Sequence, residues 1–242
     1  MGYLVFGLVL WELWYFQHYS LITWAFHTPY SILHTPYFSL MPKPYTPNDK
    51  WSQRASAEGY RARSVYKLQE LDEKFLLLKP GMKVLDLGAA PGSWLQYAVR
   101  KVGPRGLLIG IDLQEIQPIE GVKHLYQADI TDIAAVQDIL EQANATEVDL
   151  ILSDLAPNTS GVKDVDQWRS IELSEAVVEL ADRFLTPGGS CVIKVLRGAD
   201  FDAFYGKLKR TWDSVKLQHL RASRDRSREV YIVMRKPGGR RK

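Results

Sequence analysis

The sequence predicts an α/β fold in which a mainly parallel, seven-stranded sheet carries helices on both faces. Short apolar runs alternate along the chain with segments of helical periodicity. These runs are apolar at nearly every position, which is typical of parallel strands buried on both sides. The first run, Lys83–Leu87, passes through a turn of small residues directly into a helix, as in a nucleotide-type strand–turn–helix unit.

The predicted elements follow in order from residue 64. A helix is predicted for Ser64–Phe75, where apolar residues recur at helical spacing after an N-cap residue type. Strands are predicted for Lys83–Leu87, Leu107–Asp112, Lys123–Gln127, Val148–Ser153, Ser190–Val195, Val215–His219 and Glu229–Met234. Helices between them are predicted for Ser93–Lys101, Asp132–Gln142, Asp166–Phe184 and Asp200–Trp212. This order indicates one Rossmann-like domain, with a ligand at the carboxyl ends of the strands.

The turn after the first strand is a candidate ligand-binding loop. Gly88, Ala90 and Gly92 alternate there, and small residues let the backbone approach a ligand. The N-terminus of the following helix offers unpaired N–H groups. Ordinary tight turns have the same composition, so the turn alone is weak evidence.

Three acids fall at the ends of successive strands above that turn. Asp112 ends the second strand, at the place where a carboxylate accepts from ribose hydroxyls, and Asp129 follows the third, where it suits the amine of a base. Asp154 ends the fourth strand. Each alone fits an N-cap or a turn, but together they indicate an adenosine-containing cofactor. NAD and S-adenosylmethionine both remain open on these residues.

Charge is unevenly distributed along the chain. The net charge is only +3, yet Lys43 to Lys67 contains six basic residues against two acids, and Lys207 to Arg228 contains eight against two. The last eight residues add five positive charges. Basic stretches on either side of a neutral middle favour RNA or DNA over a membrane surface as partner, and solvated helix faces are the alternative.

Cysteine and histidine usage excludes some kinds of site. Cys191 is the single cysteine and lies in an apolar run, so the chain can form no internal disulfide, and we expect a buried, inert thiol in a reducing compartment. The five histidines lack the spacing of metal ligands. No metal site is predicted.

Residues 1–42 differ in composition from the rest of the chain. They hold one charge, Glu12, and 12 of the 27 aromatic residues. Glu12 lies inside the most apolar window, which argues against a membrane span, and a basic start with a cleavage site is missing. We expect an extension upstream of the natural start, Met41, with a membrane anchor as the alternative. The predicted organisation is therefore an extension at 1–42, a core domain at 43–235 and a basic tail at 236–242.

Six segments have the order and spacing of a known family. They are residues 61–68, 86–94, 153–161, 187–190, 192–194 and 227–231. On these residues the chain resembles the FtsJ family, also called RrmJ or RlmE, of ribosomal RNA 2′-O-methyltransferases. The resemblance runs from about Asp49 to Arg235 and implies the fold of class I S-adenosylmethionine-dependent methyltransferases. Ser93 replaces a glycine that is common in the family, but it keeps the side chain small.

The resemblance also implies particular site residues. A Lys-Asp-Lys-Glu catalytic tetrad maps onto Lys67, Asp154, Lys194 and Glu229. S-adenosylmethionine contacts map onto Gly88, Gly92, Trp94, Asp112, Asp129 and Asp154. For Trp94 a place in the aromatic core is the alternative. Lys194 belongs to an apolar strand, where an ammonium costs several kcal/mol unless it is paired or functional.

The activity implied is 2′-O-methylation of a uridine in 23S ribosomal RNA on the assembled 50S subunit, by a cytoplasmic monomer with no stable membrane partner. Lys194 would remove the 2′-hydroxyl proton or stabilise the alkoxide that forms. A tRNA anticodon-loop or cap 2′-O-methyltransferase and an inactive RNA-binding assembly factor are the alternatives. An NAD-dependent oxidoreductase is disfavoured because it would not explain Lys67, Lys194 and Glu229 together. The residues expected to bind RNA are Lys50, Arg54, Arg61, Arg63, Arg221, Arg224, Arg226 and Arg228.

Overall fold

The structure is a computed structural model that describes residues 49–158, 160–223 and 227–238. The predicted extension at 1–42, Arg224, Arg226 and the end of the basic tail lie outside the described residues. None of the helices within the described ranges is long and apolar enough to cross a membrane.

Six helices and seven strands alternate along the described chain. The helices are α1 (Lys50–Ala57), α2 (Val65–Phe75), α3 (Ser93–Val102), α4 (Ile133–Gln142), α5 (Lys163–Phe184) and α6 (Phe201–Thr211). The strands are β1 (Lys83–Leu87), β2 (Leu107–Asp112), β3 (His124–Gln127), β4 (Val148–Ser153), β5 (Leu185–Leu196), β6 (Ser214–Gln218) and β7 (Glu229–Arg235). The fold class predicted from the sequence is confirmed.

The strands form one sheet in the order β3-β2-β1-β4-β5-β7-β6. The first five strands are parallel, and β7 runs antiparallel to both of its neighbours. Chain order therefore reverses between β1 and β4, where doubly wound folds have their ligand crevice. Because β7 is reversed, its first residue, Glu229, pairs with Leu196 and lies at the carboxyl edge of the parallel strands.

Two apolar layers cover the two faces of the sheet. Side chains alternate along each strand, so Val84, Val192 and Tyr231 face the layer that contains residues of α1, α2 and α3. Leu85, Ile193 and their equivalents face the layer with residues of α4, α5 and α6. Cys191 lies in this second layer at 0% exposure, so its predicted burial is confirmed, and this burial raises the pKa of its thiol.

Helix α1 was not predicted, although its first residues carry a clear signal. Oδ1 of Asp49 caps the helix by accepting hydrogen bonds from the N–H groups of Trp51 (3.1 Å) and Ser52 (2.9 Å). The helix is short and mostly polar, and Ala55 is its one buried residue. Strand β5 is also longer than predicted, because it begins at Leu185 and includes Gly188 and Gly189 before the apolar run.

Candidate active site

Four polar side chains meet at the carboxyl edge of the sheet, on the face covered by α1, α2 and α3. Lys67 comes from α2, Asp154 directly follows β4, Lys194 lies near the end of β5, and Glu229 begins β7. These elements lie far apart along the chain, and the doubly wound order with the reversed β7 brings them together. The four residues are those of the tetrad implied by the family resemblance.

Asp154 lies at the centre of this cluster. Its Oδ1 is 3.1 Å from the Lys194 Nζ and 3.9 Å from the Lys67 Nζ. Lys194 also donates to the backbone carbonyl of Asp154 at 2.5 Å, and Lys67 pairs with Glu229 Oε1 at 2.7 Å. The cluster therefore balances two cations against two carboxylates.

The electrostatics of Asp154 follow from this pairing. Burial alone would raise the pKa of Asp154, but Lys194, then Lys67, and a hydrogen bond from Tyr231 hold it below its ordinary value. Asp154 is therefore ionised at neutral pH. Lys194 has only 8% of its surface exposed, and its two contacts with Asp154 compensate for the burial of its charge.

Two further residues hold the carboxylates, and the sequence analysis did not name them. The buried Tyr231 donates its hydroxyl to Asp154 Oδ1 at 2.5 Å, and Ser223 donates its hydroxyl to Glu229 Oε1 at 2.6 Å. Tyr231 follows Glu229 by two positions in a strand, so alternation could have placed it on the same face. Ser223 reaches Glu229 across a turn, and no periodicity signals that contact.

The turn between β1 and α3 packs closely against neighbouring side chains at two of its glycines. Gly88 has a φ of +77°, and a Cβ there would lie 2.5 Å from the Leu155 side chain. Gly92 has a φ of +105°, and a Cβ there would lie 2.5 Å from the Ile119 side chain. Both positions therefore require glycine for conformation and for space.

Asp86, next to the last residue of β1, is an acid for which no role was predicted from the sequence. It is 1% exposed, and its Oδ2 has no hydrogen-bond partner among the described residues. Burial raises the pKa of Asp86 well above its ordinary value, and the charges of Asp154 and Asp112 raise it further. A buried carboxyl group with one unpartnered oxygen is suited to a positively charged ligand group, which would stabilise its ionised form.

The other residues expected to bind the cofactor have protein partners of their own. Asp112 accepts from the N–H groups of Ala90 (2.9 Å) and Gln114 (2.8 Å), which ties the end of β2 to the glycine turn. Asp129 Oδ1 accepts from the N–H and the hydroxyl of Thr131 and so also holds a turn. Cofactor contact by these acids stays a prediction.

Trp94 lies in the core. It is 3% exposed, its Nε1 donates to the carbonyl of Ser64 at 2.8 Å, and its ring lies 6.2 Å from that of Tyr231. This is the core position that the sequence analysis gave as the alternative for Trp94. Leu113, directly after Asp112, is 64% exposed and is an apolar candidate for contact with a cofactor base that was not named.

The basic residues expected to bind RNA fall into two groups. Arg61 and Arg63 are engaged within the protein: Arg61 bonds three backbone carbonyls, and Arg63 pairs with Asp49 and donates to the Ala222 carbonyl. Arg61 is nevertheless exposed, as are the remaining described residues of this set, Lys50, Arg54, Arg221 and Arg228. RNA binding stays a prediction for both groups.

Comparison with known proteins adds a family assignment. Residues 60–237 match the family model described as FtsJ-like methyltransferase. The chain is 47% identical over 186 residues to the ribosomal RNA large subunit methyltransferase E of Azoarcus sp. strain BH72, which covers 77% of this chain and 90% of that protein. It is 43% identical over 193 residues to the protein of the same name from Pseudomonas fluorescens strain Pf-5, covering 80% of this chain and 92% of the relative.

A solved structure agrees with the sequence relatives. A crystal structure of a ribosomal RNA methyltransferase from Plasmodium falciparum superposes with a TM-score of 0.66 at 31% identity, covering 75% of this chain and all of the other. The family match spans the glycine turn and all four clustered side chains. The chain belongs to the FtsJ-like methyltransferase family.

Proposed function

We propose that this protein transfers a methyl group from S-adenosylmethionine to the 2′-hydroxyl of a uridine in 23S ribosomal RNA, on the assembled 50S subunit. We propose further that it acts as a cytoplasmic monomer. The observation that carries the proposal is the convergence of Lys67, Asp154, Lys194 and Glu229 at the edge of the sheet that bears the glycine turn. The names of its relatives support large-subunit ribosomal RNA as the substrate.

The residues around the glycine turn fit S-adenosylmethionine, which carries a sulfonium and an ammonium. Gly88 and Gly92 give the turn its positive-φ conformation, and Asp112, Asp129 and Asp154 would hold the cofactor from the strand ends. The unpartnered Oδ2 of Asp86 provides a buried acceptor for a cationic group. When bound, the cofactor supplies an electrophilic methyl group.

Lys194 would act on the 2′-hydroxyl of the ribose. Its nitrogen has two contacts with Asp154, one to the backbone carbonyl and one to Oδ1. In a tetrahedral nitrogen these contacts leave one direction for the substrate oxygen. An ammonium would donate there and stabilise the developing negative charge, whereas a neutral amine would accept the proton.

Lys67 and Glu229 would position the hydroxyl and fix the charge balance. Their pair at 2.7 Å places a second ammonium 3.9 Å from Asp154 Oδ1. Alignment of a hydroxyl with an activated methyl group is a large part of catalysis in such transfers. The exposed Lys50, Arg54, Arg221 and Arg228 would hold the phosphates of the RNA, with affinity that falls steeply with salt.

The test is transfer of labelled methyl from S-adenosylmethionine to separated 50S subunits, 30S subunits and tRNA, with the modified nucleotide mapped. We expect label on a uridine ribose of the 50S subunit. Label on tRNA alone would favour the anticodon-loop alternative, and binding of RNA without any transfer would favour an assembly factor.

The residue assignment is tested with Lys194→Met. We expect transfer to fall by about 100- to 10,000-fold, the usual contribution of a group that handles the proton. The matched control is Lys207→Met, because Lys207 is an exposed lysine on α6 that pairs with Glu175. A folded Lys194→Met protein with near-normal transfer would refute the assignment.

A further inference from the structure

Arg61, in the turn between α1 and α2, is held by three backbone carbonyls. Its Nη1 donates to Pro91 O (2.9 Å) and Gln117 O (2.7 Å), and its Nη2 donates to Pro118 O (2.5 Å). A guanidinium is a rigid fork with several donors, so one side chain can satisfy three acceptors at once. A lysine has a single nitrogen and cannot reproduce this arrangement.

The three carbonyls belong to the two walls of the proposed cofactor site. Pro91 is part of the glycine turn, residues 88–92, whereas Gln117 and Pro118 belong to the segment 113–119 that follows β2. The two walls lie close together at Gly92, where an added Cβ would be 2.5 Å from the Ile119 side chain and 3.1 Å from Arg61 Nη1. Arg61 therefore lies where the two walls are in contact.

A second tie joins the same walls at another point. Asp112, at the start of the second wall, accepts from the Ala90 N–H of the first wall at 2.9 Å. Arg61 adds its bonds at Pro91 and at residues 117 and 118, further along both segments. With both ties present, the spacing of the walls is set before a ligand arrives.

The backbone of Arg61 is itself anchored. Its N–H donates to Gln96 Oε1 on α3 at 2.9 Å, and Gln96 Nε2 donates to Gly59 O at 3.1 Å. Gln96 thus fixes both sides of the turn that carries Arg61. The backbone of Arg61 is therefore fixed against α3, the helix that begins directly after the glycine turn.

We propose that Arg61 is a positioning residue for the cofactor site, which holds the turn 88–92 and the segment 113–119 at the spacing that binds S-adenosylmethionine. This inference rests on the proposed function and assigns Arg61 to cofactor binding in place of RNA phosphate. Holding a site in its bound geometry raises affinity because less ordering remains to be done on binding. Loss of Arg61 weakens the cofactor complex without removing any group that touches the cofactor.

The test measures S-adenosylhomocysteine binding by calorimetry for the wild type, Arg61→Ala and Arg61→Lys. We expect Kd to rise about tenfold for Arg61→Ala, equivalent to about 1.4 kcal/mol, with a smaller rise for Arg61→Lys. The control is Arg183→Ala, an exposed arginine that pairs with Glu179 on α5, and it leaves cofactor Kd unchanged.

Hydrogen exchange and RNA binding separate positioning from general stability. In Arg61→Ala, amide exchange speeds up in residues 88–92 and 113–119 and stays unchanged in β4 and β5, whereas the salt dependence of RNA binding keeps its wild-type slope. An unchanged cofactor Kd together with a shallower salt slope would overturn the inference and make Arg61 a phosphate contact. If Arg61→Ala does not fold, Arg61→Lys provides the same comparison. Failure of the wild type to bind S-adenosylhomocysteine would overturn the proposed function itself.

Discussion

Tyr231→Phe tests the central contact of the site with the removal of a single hydroxyl. That hydroxyl donates to Asp154 Oδ1 at 2.5 Å from a side chain that is 0% exposed. The phenyl ring would keep its neighbours, with Trp94 at 6.2 Å and the Lys67 ammonium at 5.6 Å. The change therefore isolates one hydrogen bond to a charged group.

The magnitude follows from the charge on Asp154. A hydrogen bond to a charged group contributes about 1.5–3 kcal/mol, so we expect the free energy of unfolding at neutral pH to fall by about 2 kcal/mol. Burial raises the pKa of Asp154, but Lys194, Lys67 and Tyr231 bring it below its ordinary value. Ionised Asp154 thus stabilises the fold above the unfolded value of about 3.9, and this stabilisation is lost as pH falls through the folded pKa.

The assay is urea unfolding followed by circular dichroism at several pH values. Removing a donor raises the pKa of Asp154, so the loss of stability is largest near neutral pH and shrinks as the carboxylate becomes protonated. Tyr205→Phe is the control, because Tyr205 stacks on Phe201 in α6, away from the site. A loss that is independent of pH, or no larger than that of Tyr205→Phe, would refute the electrostatic account.

Three further outcomes are expected. Asp86→Asn raises the free energy of unfolding of the free protein at neutral pH by about 1 kcal/mol or more, because burial raises the pKa of Asp86 and its ionisation costs stability as pH rises. The same substitution weakens S-adenosylhomocysteine binding. Urea unfolding and calorimetry test the two effects, and equal stability of the two proteins from acid to neutral pH would contradict the prediction. Gly88→Ala lowers the free energy of unfolding more than Gly81→Ala does. The two glycines have similar φ values, +77° and +81°, but only at Gly88 would a Cβ meet Leu155. Thermal unfolding compares the two variants, and equal losses of stability would exclude the clash. Arg221→Ala reduces the slope of log affinity for RNA against log salt by about 0.7 to 0.9, and filter binding over a salt series would show an unchanged slope if Arg221 contacts no phosphate.

The strands were predicted well from the sequence because strands that are buried on both faces consist mainly of apolar residues. Lys83–Leu87, Leu107–Asp112 and Val148–Ser153 have the bounds that were predicted, since each is a largely apolar run between turn residues. The reversal of β7 was not predictable in the same way. A strand that is buried on both faces reads alike in either direction, and only pairing with β5 and β6 sets its orientation.

The site was predictable only in part. The four clustered side chains came from the family resemblance, because no periodicity links Lys67 to Glu229 across the chain. Charge counting placed Arg61 and Arg63 on an RNA surface, but a count of charges cannot detect the backbone carbonyls that the structure puts around them. The sequence shows Asp86 as an acid within an apolar strand. Only the structure shows that this carboxyl group is buried and has an oxygen without a hydrogen-bond partner.

Because two cations balance two carboxylates in the tetrad, we expect these residues to stabilise the fold in addition to their proposed role in methyl transfer. Removing one partner of a buried charge pair costs about 3–5 kcal/mol because the other charge is left uncompensated. Lys67→Met and Glu229→Gln are each expected to destabilise the protein, since the two side chains pair at 2.7 Å and are only 12% and 13% exposed. The double variant Lys67→Met/Glu229→Gln restores the balance and should unfold at a higher urea concentration than either single variant, while methyl transfer stays lost. If transfer followed stability through all three variants, the pair would serve the fold alone, whereas loss of transfer in a stable double variant assigns it to the reaction.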